Sequence, residues 1–314
     1  MPESEQFDIS TIAKLLEMRK RNNHRTVLLL GARAGGLFRS DHFYENLQEF
    51  SNRDFNKLSL LEKFNECHSI LTNDHFSEAE IHSIVRTSLQ DLTVTLADAC
   101  LAELVKQGYF EEIISTNIDD MLERALVGAE MQEQREFEVL ISGRGALHIE
   151  KSLPCRISKA FGDFAAREYN ISRPLSYRES NQELERVLQR ILARDILVIG
   201  IDPVWDEEIL RVIPSKGETM WFINEEDLIE RSSIASILRG RKAKCIGDNK
   251  GKYENFVRAL HGNLCGGFAP INYKLASDIL GRLQVLWSEH QLILSEIKKL
   301  KDEIGKFSQH QNER

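Results

Sequence analysis

Hydrophobic positions along this chain change period several times, and each change marks an element. Asp8 to Lys20 places Ile9, Ile12, Leu15 and Leu16 at helical spacing behind a capping-type Asp, which predicts an amphipathic helix. Thr26 to Leu30 is a continuous β-favouring apolar run ending in Gly31-Ala32-Arg33-Ala34-Gly35-Gly36, the order of a buried parallel strand opening into a phosphate-facing loop. A helical stretch then runs from about residue 41 to 107. Glu112 to Ser115, Asp195 to Ile199 and Met220 to Ile223 are short apolar runs bounded by turn or capping residues, each followed by a helical pattern. Lys244 to Ile246 ends in Gly247-Asp248 and precedes the amphipathic Tyr253 to Leu260. Strands alternating with helices predict an α/β fold with a doubly wound, Rossmann-like parallel sheet and a helical insertion at 41 to 107. Such sheets bind ligands at the carboxyl ends of their strands.

Past the break at Gly266-Gly267-Phe268-Ala269-Pro270 the pattern becomes a long polar helix with an apolar seam. Ile279, Leu286, Ile293, Leu300 and Phe307 recur every seven residues, with Leu283, His290, Ile297 and Ile304 as the second row. Alternating steps of three and four specify a left-handed coiled coil. The expected organisation is a sheet domain over 1 to 265 and a coiled-coil tail over 271 to 314. The expected partners are further copies of the chain or a separate subunit held through the tail. His290, the polar seam residue, reads as a tolerated seam position, with a register or pH device as the other reading.

Composition adds exclusions. With 314 residues, 42% hydrophobic, core size is not limiting, and a formal net charge of -8 argues against a general nucleic-acid binder. The basic runs Arg19 to Arg25 and Arg239 to Lys244 read as solvated helix ends, where cations meet the negative end of the dipole. Cys67, Cys100, Cys155, Cys245 and Cys265 are odd in number and never spaced C-x-x-C, so neither a disulfide framework nor a zinc ribbon is expected. No apolar run approaches a membrane span, and Met1 to Glu5 lacks the order of a signal peptide, so the expected location is cytoplasmic.

The candidate chemistry sits after the strands. Glycines in Gly31 to Gly36 would let backbone N–H groups approach a pyrophosphate, although the run is neither a Walker loop nor G-x-G-x-x-G. Arg33 within it either supplies a charge to an anion or occupies space a ligand would need. In Ser115-Thr116-Asn117-Ile118-Asp119-Asp120-Met121-Leu122-Glu123, an amide and two carboxylates at a strand end can hold ribose hydroxyls and a water; Asp119 or Asp120 can equally cap the next helix. This stretch resembles the Thr-Thr-Asn-Tyr-Asp-x-Leu-Leu-Glu motif of the sirtuin-like NAD-hydrolase family of prokaryotic antiphage defence. Val27 to Ala34 resembles that family's glycine loop, and Phe38-Arg39-Ser40 the Phe-Arg-Ser that follows it. Lys159-Ala160-Phe161-Gly162-Asp163 stands where the family has Lys-Leu-His-Gly-Asp. Leu197 to Gly200, with Asp202 and then Asp206, is similar to its late Val-Ile-Gly motif; Phe222-Ile223-Asn224 and Ile246-Gly247-Asp248 are similar to its last two strand ends.

The resemblance implies NAD as substrate or ligand, hydrolysed to ADP-ribose and nicotinamide. It implies Asn117 orienting ribose and water with Asp119 assisting. Gly31, Ala32, Arg33, Phe38, Arg39, Gly200, Asp202, Asn224 and Gly247 would hold the cofactor, with no metal. Two departures stand at the site. The family's histidine is matched by Phe161, which cannot accept a proton, and the second loop glycine by Arg33. They set an alternative beside the hydrolase: a catalytically silent scaffold or nucleotide-sensing subunit acting through a partner. His148 is the nearest histidine and reads as a partly buried strand residue rather than a substitute base. A deacylase is disfavoured by the missing paired C-x-x-C module.

Overall fold

The computed structural model describes residues 8–73, 76–141, 153–169, 171, 181–226, 232–267 and 269–270, together with 290 and 297. The chain divides into two compact units, Met1–Phe268 and Ala269–Arg314. Apart from His290 and Ile297, which are helical, the heptad positions and the coiled-coil expectation lie outside the described residues, as does His148.

In the first unit the strands are β1 (Thr26–Leu30), β2 (Phe110–Ser115), β3 (Phe137–Ile141), β4 (Cys155–Lys159), β5 (Gly162–Asp163), β6 (Glu168–Tyr169), β7 (Ile196–Ile199), β8 (Met220–Ile223) and β9 (Lys244–Ile246). Seven of them form one parallel sheet in the order β3-β4-β2-β1-β7-β8-β9, and β5 pairs antiparallel with β6. The fold is Rossmann-like α/β. Successive residues of a strand face opposite sides, so Val27 and Leu29 enter one core and Leu28 and Leu30 the other. Helices Asp41–Gln48, Leu60–Thr72 and Glu78–Leu89 supply Phe43, Phe64 and Val85 to the first core. Helices Ile9–Arg21, Leu96–Lys106 and Tyr253–Cys265 supply Leu16, Leu101 and Phe256 to the second. With both faces covered, β1 is buried at every position, as its unbroken apolar run requires.

Strands β3, β4, β5 and β6 were not expected from the hydrophobic pattern, and each basic run needs correction at one residue, while Arg21 and Arg239 are exposed in the last turns of their helices. Arg19 is buried: it bonds Thr26 Oγ1 at 3.0 Å, meets Asp195 at 2.5 Å and lies 4.5 Å over the Trp221 ring. Arg241 is buried against the carbonyls of Leu192, Arg194 and Glu218. These guanidiniums bind β7 and the loop before β8 to their neighbours, and neither is a solvated helix end.

The register fixes where the site is. Leu30 pairs with Ser115 and with Ile199, Ser115 with Lys159, and Ile199 with Ile223, which pairs with Ile246. The next residues, Gly31, Thr116, Ala160, Gly200, Asn224 and Gly247, therefore line one carboxyl edge. The chain builds outward from β1 through β2 and later returns to β7 on its other side, so the topological switch point lies between β1 and β7.

Candidate functional site at the carboxyl edge of the sheet

At the switch point the loop after β1 meets the loop after β7 with no room for side chains. A Cβ on Gly31 would stand 2.5 Å from Gly200 O and from Ile201 Cα, and Gly200 itself has φ +70°. Glycine is needed here so that two backbones can touch. The backbone N–H groups of residues 32 to 36, expected to face a phosphate, all bond within the protein. Ala32 N donates to Asp206 Oδ2 (2.9 Å), Arg33 N to Gly200 O (2.9 Å), Ala34 N to Gly31 O (3.0 Å), Gly35 N to Ala32 O (3.1 Å) and Gly36 N to Asp119 Oδ2 (2.7 Å).

Arg33 fills the crevice. Its side chain is 3% exposed and donates to Asp202 Oδ2 (Nε, 3.0 Å), Asn224 Oδ1 (2.9 Å) and Glu226 Oε2 (2.8 Å). Burial pulls its pKa down, but Asp202 and Glu226 outweigh this and hold the guanidinium above its ordinary value. Asn224 Nδ2 donates to Ile201 O, so this amide, expected to hold the cofactor, is bonded at both ends. Asp202 is fully buried, its other oxygen accepting from Val204 N and Trp205 N. Beside it Asp206 is also fully buried. One oxygen accepts from Ala32 N and Asp202 N, while Oδ1 receives no hydrogen bond. Burial pushes the Asp206 carboxyl up to about 7. The neighbouring Thr116 hydroxyl, which bonds Leu30 O at 3.3 Å, also lies against Asp206 and holds its pKa down in part.

Next along the edge, Asn117 donates from Nδ2 to Gly31 O at 3.2 Å, and Asp119 accepts from Gly36 N and from Met121 N at 3.1 Å. Asp119 thus joins the loop after β1 to the helix Met121–Gly128, for which Asp120 is the N-cap residue without a side-chain cap bond. Both residues line a cleft with Phe64, Thr116, Phe161 and Trp205, where the Phe64 and Trp205 rings stack at 4.5 Å. The cleft has about 30 Å³ of room, which by the roughly 10–15 Å³ a water needs is about two waters. Phe161 is buried and offers no proton acceptor. Gly162 after it has φ +92° and lies against Glu168 O across the β5–β6 pair, so only glycine fits.

Phe38 and Arg39 point elsewhere: Phe38 packs edge-on against Phe64 at 5.0 Å, and Arg39 pairs with Asp98 at 2.8 Å under the Tyr253 ring. Gly247 follows β9, its Cβ direction 3.9 Å from Asn224 O. Sequence reasoning missed a buried ionic group behind Asp119. Lys159, 1% exposed, reaches Asp119 O and Asp163 Oδ2 at 2.5 Å and Glu123 Oε1 at 2.9 Å. Burial lowers its pKa, but Glu123 and Asp163 outweigh that and hold it above the usual lysine value, whereas burial raises Glu123 despite Lys159. The signal available was a lysine ending a strand four residues before an Asp.

No family model and no curated protein matches this chain. As folded, the N–H groups of residues 32 to 36 are all bonded within the protein and the Arg33 guanidinium is seated on Asp202, Asn224 and Glu226, so these residues do not fit a dinucleotide pyrophosphate. Among the described residues no helix is long and apolar enough to cross a membrane.

Proposed function

We propose that this protein is a catalytically silent Rossmann-like subunit whose nucleotide crevice is occupied by its own Arg33, and which acts through protein contacts. The observation that carries this reading is the complete internal bonding of residues 32 to 36 together with the guanidinium seated on Asp202, Asn224 and Glu226. A pyrophosphate would have to displace a buried ion pair, and breaking one by removing a partner costs about 3–5 kcal/mol. Phe161 supports the reading from the other side of the site. A base typically contributes about 10²- to 10⁴-fold to such a reaction, and no side chain at this position supplies it. The setting suggested by the motif resemblance is antiphage defence, with the chain as scaffold for a partner that does the chemistry.

The alternative is the NAD+ glycohydrolase, favoured by Asn117 and Asp119 standing together on the cleft wall. Calorimetric titration with NAD+ and chromatographic assay of NAD+ loss separate the two. Under the proposed reading the protein binds no NAD+ and consumes none, and Phe161→His leaves it inactive. NAD+ turnover by the wild-type chain that is abolished by Asn117→Ala would overturn it. Arg33→Ala is expected to lose about 3–5 kcal/mol of stability, because buried Asp202 is left without its counter-charge.

A further inference from the structure

Away from the carboxyl edge, two helices that cover the second face of the sheet bring three metal-ligating side chains to one place. His261 and Cys265 stand four residues apart on the helix Tyr253–Cys265, hence on one face. Facing them, the helix Leu96–Lys106 carries Glu103. His261 Nε2 and Glu103 Oε2 are 2.9 Å apart, and the ligand atoms of Glu103, His261 and Cys265 all lie within 4.8 Å of one another. His261 is 3% exposed; Glu103 and Cys265 are half-buried.

We propose that Glu103, His261 and Cys265 form a site for a single divalent transition metal of the zinc class. Its role is to join the two helices. The donor set is right for that ion: imidazole, thiolate and carboxylate are its usual ligands. The scale is right as well. Ligands about 2.0–2.3 Å from zinc at tetrahedral angles sit about 3.3–3.6 Å from one another, so a cluster within 4.8 Å has to contract by about an ångström at its widest. Binding replaces the Cys265 thiol proton, which passes to solvent. The sequence hides the site because Glu103 lies on one helix and the pair His261/Cys265 on another, far apart along the chain and without C-x-x-C spacing.

The test uses the full chain stripped of metal and titrated with cobalt(II), then with zinc(II). One equivalent of cobalt should give the near-ultraviolet sulfur-to-cobalt charge-transfer absorption with tetrahedral visible bands, and zinc should abolish both. Cys265→Ser should abolish the charge-transfer band, and His261→Ala should weaken cobalt binding. Should His261→Ala fail to fold, as judged by circular dichroism, Cys265→Ser carries the test. Absence of the charge-transfer band in the wild type overturns the proposal and leaves a structural Glu103–His261 hydrogen bond. A band that survives Cys265→Ser overturns it too. So does cobalt binding abolished by His24→Ala, which would place the ion on the exposed cluster of His24, Asp195 and Glu218.

Discussion

Asp206 holds two backbone N–H groups with one oxygen while its other oxygen receives no hydrogen bond, an arrangement a carboxylate tolerates poorly and a carboxylic acid tolerates well. Burial is the main cause, and the neighbouring charge of Asp202 adds to it, partly offset by the Thr116 hydroxyl and the N–H groups of Asp202 and Ala32. The folded state therefore binds this proton more tightly than the unfolded chain, for which the ordinary value is 3.8. The contribution to stability is full below that value and is lost as pH rises through about 7; integrated, it is on the order of 4 kcal/mol. Asp206→Asn keeps an acceptor for Ala32 and Asp202 and cannot ionise. Its stability relative to wild type should grow from about pH 4 to about pH 7, read as the shift in urea midpoint. A difference that does not change with pH would show that Asp206 does not titrate in this window. Arg33 teaches a related lesson. The sequence left it as ligand contact or plug, because nothing in it shows that Asp202, Asn224 and Glu226 converge on one guanidinium.

The helical insertion was readable because its elements carry their own start signals. Helices Leu60–Thr72, Glu78–Leu89 and Leu96–Lys106 each open on a capping box, formed by Ser59 with Glu62, Ser77 with Glu80 and Thr95 with Asp98. The third box does more than cap. Asp98, itself buried, also pairs with half-buried Arg39 and accepts from Tyr253 Oη at 2.8 Å, joining the insertion to the last helix of the unit. Ser77→Ala should therefore cost about 1 kcal/mol, an exposed cap alone. Asp98→Ala should cost about 3–5 kcal/mol, because it strands the Arg39 guanidinium. Equal costs in chemical denaturation would show that Arg39 finds another partner. The strands β3 and β4 were not readable for a comparable reason. Arg156 in β4 looks like a surface charge, yet it bonds Glu112 on β2 and Glu138 on β3, the residues paired with it across the sheet. Cross-strand neutralisation is a property of the register, and a local pattern cannot display it.

At the scale of the whole molecule the sheet unit and the tail obey different rules. Among the described residues, both cores of the sheet unit are built from residues before 269. The tail has no such closure in its own sequence. Its seam from Ile279 to Phe307 repeats every seven residues, and Ile297, one of the two seam residues described, is 44% exposed in the single chain. A lone helix gains little from propensity, so a stripe of this length calls for burial against another helix. Mixed Ile and Leu in both rows leaves the strand number open, and the charged flanks Glu289, Glu296, Lys298, Lys301 and Glu303 favour an intermolecular seam over docking on a domain surface. Deleting residues 271 to 314 should lower the particle mass measured by light scattering, or abolish co-purification with a partner subunit, while circular dichroism and the unfolding midpoint of the sheet unit hold. If the truncated chain keeps its full oligomeric mass and its partners, assembly runs through the sheet unit, and the heptad seam serves another purpose. On the proposed reading of the chain as a scaffold, its function lies in what it assembles, so this truncation also probes that reading.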